Sequence, residues 1–162
     1  MKKLVIYSLL LLSQNLLAQG YFAGSHKYLL EKTYHEENEL GLTGFVSRGG
    51  SLISDAAEPD KFAVSWFSKN SVFVVLFELV KEDNSRQILD VLEIKNVSPG
   101  QEFKIGDCKD GESENVSIAA LVPPAKSERV KALKAWHFNR DKIRIEAWPA
   151  SDVICLGLVG DD

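Results

Sequence analysis

Ser71-Val72-Phe73-Val74-Val75-Leu76-Phe77-Glu78-Leu79-Val80-Lys81 is the run on which the fold turns. Apolar side chains occupy both alternating sets of positions, so a strand made from it needs cover on both faces, as a strand in the middle of a sheet has. β-branched and aromatic residues suit a pleated surface better than a helix, and the run is too short to cross a bilayer. Glu78 alone interrupts it.

On the N-terminal side, Phe62, Val64 and Trp66 alternate with Ala63, Ser65 and Phe67, which predicts a strand turned into the central one by Ser68-Lys69-Asn70. Trp66 is read as core, with a pocket wall as its other use. On the C-terminal side, Glu82-Asp83-Asn84-Ser85 is a turn cluster ahead of Ile88, Leu89, Val91, Leu92 and Ile94. Those apolar residues would also share one helical face, but turn residues close at both ends favour a strand in a meander. Val97-Ser98-Pro99-Gly100 has type II turn composition, and Phe103 and Ile105 alternate with Glu102 and Lys104. Val116, Ile118, Ala120 and Val122 form a strand ended by Pro123-Pro124. Ala132 to Phe138 and Ile143 to Ala147, either side of Asn139-Arg140-Asp141-Lys142, form a hairpin, and Val153-Ile154-Cys155-Leu156 returns the chain end toward Cys108.

Toward the N-terminus the pattern weakens. Asp55 to Asp60 reads as a polar connection, Arg48-Gly49-Gly50-Ser51 as a turn, and Leu42 to Val46 as a strand. Residues 21–40 fit either a short helix capped by Ser25 or a strand through Thr33 and Tyr34, and the helix is preferred. The expected architecture is α+β: mainly antiparallel sheet of about seven or eight strands with one or two short helices.

Lys2 and Lys3 precede an apolar run from Leu4 to Leu17 that meets Ala18-Gln19-Gly20. A basic start, a short apolar stretch and a small-residue end describe a secretory signal peptide over residues 1–20, cut after Gly20 or Ala18. No stable membrane span is expected after cleavage. Residues 21–162, about 140 residues, are enough for one β-rich globular domain in the periplasm or outside the cell. Losing Lys2 and Lys3 carries the formal charge from −4 to −6. That acidity disfavours nucleic acid and anionic lipid and favours a basic envelope protein as partner.

Both cysteines, Cys108 and Cys155, lie in the exported part, where an isolated pair reads as one disulfide. Neither CxxC redox spacing nor a zinc ligand set is present. His35-Glu36-Glu37 misses the second histidine of H-E-x-x-H, since Glu39 occupies that position, and Gly49-Gly50 lacks the G-x-x-x-x-G-K-[ST] phosphate pattern. The acidic loop from Asp107 to Glu114 lacks the alternating spacing of an EF-hand. No cofactor, metal or catalytic residue is assigned. His26, His35 and His137 are the only imidazoles, none of them in a nucleophile motif. His137, between Trp136 and Phe138 on a strand, faces away from both and reads as a rim residue. Trp136, His137 and Trp148, with Asp110, Glu112 and Glu114 of the acidic loop, are the candidate binding residues.

The series Asp90-Val91-Leu92-Glu93-Ile94, Pro99-Gly100, Cys108, Ile118 to Val122, Lys134-Ala135-Trp136 and Val153-Ile154-Cys155 resembles a group of small exported Gram-negative proteins with a K-A-W segment and two separated cysteines. It spans about half of the mature chain. The chain departs from the group at Leu156-Gly157-Leu158-Val159, where a polar segment with Asn and Gly follows the last cysteine. The resemblance implies a periplasmic location and a disulfide, and brings no activity. The function expected is therefore a non-catalytic protein-binding module, such as an inhibitor or immunity protein of an envelope-acting enzyme. The alternatives are an envelope hydrolase using His and carboxylates, and a small-ligand module with a pocket lined by Trp66, Trp136 or Trp148.

Overall fold

The structure, a computed structural model, describes residues 25–53, 61–111, 113–114, 116–124 and 127–157, with Ser113 and Glu114 described in backbone only. The expected signal peptide, the connection at 55–60 and Glu112 lie outside the described residues. The strands are β1 (Thr33–Tyr34), β2 (Val46–Leu52), β3 (Lys61–Lys69), β4 (Val72–Val80), β5 (Arg86–Ile94), β6 (Glu102–Ile105), β7 (Cys108–Asp110), β8 (Ser113–Glu114), β9 (Ile118–Val122), β10 (Arg129–Lys131), β11 (Lys134–Asn139), β12 (Arg144–Trp148) and β13 (Val153–Leu156). Every pairing among them is antiparallel.

They form three sheets, ordered β1-β5-β4-β3-β2, β12-β11-β9-β6 and β10-β13-β7-β8. The Ser71–Lys81 run is β4, at the centre of the first sheet. Phe73, Val75 and Phe77 point one way into a core shared with Phe103, Leu121, Trp136 and Phe138 of the second sheet. Val74 and Leu76 point the other way, under Leu29, Tyr34 and Leu40 of the N-terminal segment. The second sheet also works on both faces. Ile118, Ala120, Val122 and Ala135 pack on Cys108, Val130, Val153 and Cys155 of the third sheet. The molecule is thus an N-terminal cover and three stacked sheets. Full burial of a side chain the size of Phe77 or Phe138 stabilises by about 1.5–3 kcal/mol, and both are fully buried.

Cys108 and Cys155 are bonded, and they sit directly opposite each other on β7 and β13. The flanking pair, with Leu156 N–H donating to the Asp107 carbonyl, is hydrogen-bonded. The cysteines therefore occupy a non-hydrogen-bonded site, where cross-strand side chains lie closest. A bridge closing a separation of 47 residues stabilises by about 4 kcal/mol in the chain-entropy description.

Four expectations are corrected. The α+β class gives way to a mostly β fold, because the described residues contain only 3-10 turns, at Lys27–Leu29, Glu37–Leu40 and Ala150–Asp152. Ser25 caps no helix; its hydroxyl is turned to Glu93 instead. Leu42 to Phe45 is a turn, closed by Phe45 N–H on the Leu42 carbonyl, and the strand begins only at Val46. Arg48-Gly49-Gly50-Ser51 is not a turn but the middle of edge strand β2, where a bulge falls between Ser47 and Gly49. Gly49 has φ of +148°, and a Cβ there would lie 3.0 Å from Trp66 Cζ2. Glycine is needed at that position for contact with an aromatic ring, not for chain reversal.

Candidate binding groove

Of the predicted binding residues, Trp136 and the pair His137 and Trp148 lie on opposite faces of the second sheet, and Asp110 and Glu114 belong to the third. Trp136 faces the core, 6% exposed and 6.3 Å from the Phe103 ring. His137, on the opposite face, lies 5.1 Å from Trp148, whose indole N–H donates to Asp110 Oδ2 at 3.2 Å. Strand alternation brings His137 and Trp148 together, and Asp110 reaches them from β7 because the third sheet stacks there. Glu114 pairs through its backbone with Lys109. Burial holds the His137 imidazole below its ordinary pKa, against the opposing pull of Glu146. Asn139, Arg144 and Lys142 surround the Glu146 carboxylate and lower its pKa to about 2. This cluster fastens the β11–β12 hairpin to β7, and none of its residues lines the cavities described below.

An imidazole and a carboxylate do meet elsewhere. His26 Nδ1 lies 2.6 Å from Glu93 Oε2, and Ser25 Oγ lies 3.2 Å from each of them. In a nucleophilic triad the acid holds one ring nitrogen while the hydroxyl meets the other. Here both contacts converge on Nδ1, so the arrangement ties the N-terminal segment to β5. The Glu93 pKa falls to about 2: burial alone would raise it, and hydrogen bonds from His26, Lys95 and Ser25 outweigh that.

A cavity of about 750 Å³ opens where the second sheet ends at β6. No strand lies beyond β6 among the described residues, so Trp66 of β3 and Phe73 of β4 face a gap. Their rings stand 5.6 and 6.5 Å from Phe103, and together the three make an aromatic floor. Trp66 and Phe73 stay partly exposed there, whereas Phe77 and Phe138 of the same layer are sealed. One wall is the Ser98–Gln101 turn, closed by Gln101 N–H on the Ser98 carbonyl at 3.1 Å. A Cβ at Gly100 would fall 2.8 Å from Pro124 Cγ, so this turn sits hard against the end of β9. The rim is charged. Arg48 Nε donates to Ser68 Oγ at 2.6 Å, and Lys104 Nζ lies 3.3 Å from Glu102 Oε2, with Asp107 close by.

Of these groove residues, sequence reasoning marked only Trp66. Alternation places Phe103 inward, but nothing in a linear pattern shows that β6 ends its sheet. Arg48 is hidden by the turn-like Gly-Gly pair beside it. Among the described residues no group of three or more His, Cys, Asp or Glu could hold a metal ion, and no helix is long and apolar enough to cross a membrane. No family model matches the chain, and neither a curated protein nor a solved structure does so.

Proposed function

We propose that the protein is a non-catalytic binding module acting outside the cytoplasm, and that its groove receives an extended segment of a partner protein. The observation that carries this reading is the pair Trp66 and Phe73 of the first sheet, left partly exposed where the second sheet ends at β6. An extended segment added beside β6 would meet that strand's free N–H and C=O groups and place alternate side chains over the aromatic floor. Arg48 and Lys104 are already held by Ser68 and Glu102, so the rim loses little side-chain freedom on binding. The acidic balance of the chain favours a basic partner, and an envelope enzyme restrained by an inhibitor or immunity protein fits that chemistry.

The test is inhibition. Mature protein is titrated into basic cell-wall hydrolases, and turnover is followed together with tryptophan fluorescence. Inhibition is expected from the parent and a loss of at least tenfold from Phe73→Ser, with the disulfide and the β circular-dichroism signal retained. Inhibition unchanged by Phe73→Ser moves recognition away from the groove. Turnover by the protein alone that disappears in His26→Ala replaces the reading with the envelope hydrolase.

A further inference from the structure

A second cavity, about 350 Å³, lies on the far face of the first sheet, apart from the groove. Its floor is made of small residues. Gly50 and Ser65 are register partners on β2 and β3, and Ala63 follows two residues before Ser65. With almost no side chain above the backbone, the N-terminal cover leaves a recess there.

One wall of the recess is a guanidinium fixed from behind. Arg86 Nη1 donates to Ser65 Oγ at 2.8 Å and to Glu78 Oε2 at 3.2 Å. Glu78 is fully buried and also accepts from the hydroxyls of Tyr34 and Ser65. The Arg86 side chain remains 38% exposed, and its other two nitrogens make no hydrogen bond to any described residue. A planar guanidinium anchored through one nitrogen keeps an edge suited to a carboxylate. The other wall carries the opposite charge. Glu37, on the Glu37–Leu40 turn, is exposed and held by Ser47 Oγ at 3.0 Å.

A simple anion entering this recess would meet Glu37, and a simple cation would meet Arg86. A molecule bearing both charges satisfies both walls. We propose that the recess over Gly50, Ala63 and Ser65 binds a small zwitterion of the α-amino-acid class, its carboxylate on Arg86 and its ammonium on Glu37. Ala63 and Leu52 supply the apolar surface for a modest side chain, and the volume is within the range of small-molecule sites. The inference stands independently of the groove.

The test uses the full mature chain, with L-alanine as probe and acetate, methylammonium and N-acetyl-L-alanine as controls. Binding is followed by the amide NMR shifts of Gly50, Ser51 and Ala63. L-alanine is expected to bind at least tenfold more tightly than any control. Glu37→Gln, at an exposed position, is expected to weaken L-alanine at least tenfold while strengthening N-acetyl-L-alanine, which lacks the ammonium and no longer meets a carboxylate. That inversion is not produced by a loss of folding. The absence of L-alanine shifts at millimolar concentration overturns the proposal. So does equal affinity for acetate or methylammonium, or a Glu37→Gln variant that leaves the order of affinities unchanged.

Discussion

Two glutamates on the same face of the first sheet are driven in opposite directions by their surroundings. Burial raises the Glu78 pKa, and the hydrogen bonds from Tyr34 and Ser65 and the nearby Arg86 only partly offset it. Glu93, with His26, Lys95 and Ser25 as donors, is lowered to about 2 despite its burial. The folded state therefore binds the Glu78 proton more tightly than the unfolded chain does, and the Glu93 proton less tightly. Glu93 contributes stability that is complete above the ordinary carboxylate value of 4.5 and is lost as pH falls toward 2. Glu78 acts in reverse: its contribution is complete below 4.5 and is lost as pH rises through its elevated folded value. Urea unfolding between pH 2 and pH 8 separates them. Glu93→Gln is expected to flatten the acid limb of the stability curve. Glu78→Gln is expected to gain on the parent as pH rises from 4.5. Parallel curves for parent and variants would show that neither carboxylate is linked to folding in this way. The sequence shows Glu78 plainly as the one charge in an apolar run, but Tyr34, Ser65 and Arg86 come from three other strands, and no spacing rule connects them.

Strands were easier to read than their edges. The β3-β4-β5 meander is legible because apolar alternation and turn residues agree, and Asn70 and Asn84 take the left-handed conformation at its two turns, with φ of +53° and +63°. The hairpin of β11 and β12 and the return of β13 to β7 are legible on the same grounds. Edge protection was not legible, since it depends on which sheet lies opposite. β5 carries an extra residue opposite Phe77 and Glu78, which leaves Leu89 unpaired and turns both Leu89 and Asp90 toward the second sheet. Asp90 Oδ2 then accepts the Ile145 N–H of edge strand β12 at 2.6 Å, while Oδ1 accepts from Val91 N–H at 2.8 Å. This carboxylate ties two sheets together and occupies a donor that an incoming strand would otherwise use. Asp90→Ala is expected to cost about 1–3 kcal/mol, the range for a covered polar group left without its partner. Hydrogen exchange at the Ile145 amide should accelerate. Asp90→Asn keeps an acceptor and should cost less. An Ile145 amide equally protected in Asp90→Ala would show that the edge is held by something other than Asp90.

Layering is the property that the chain conceals best. The demand for cover on both faces of β4 is written in its composition, but the cover comes from the segment that reads least clearly. Leu29 and Leu40 are fully buried, yet they stand among Lys27, Tyr28, Glu37 and Asn38 with no helical or strand period, because short 3-10 turns bury single residues instead of a continuous face. Gly41, at φ of +71°, ends the second turn and sends the chain toward β2. The stack therefore has one face closed by a thin layer whose hold depends on few side chains. Leu40→Ala is expected to lower the unfolding free energy by about 2–5 kcal/mol, the range for emptying a fully buried leucine site. The more informative expectation concerns where the loss appears. Leu40 packs with Leu29, Tyr34 and Ile88, whereas Phe138 and Ile118 belong to the two cores beneath. If the cover opens on its own, amide exchange in Leu40→Ala will rise at Leu29, Thr33 and Tyr34 while Phe138 and Ile118 keep their protection. A uniform rise across all three sheets would mean that the cover and the stack unfold as one unit, and that the N-terminal segment is as much a part of the core as the strand it hides.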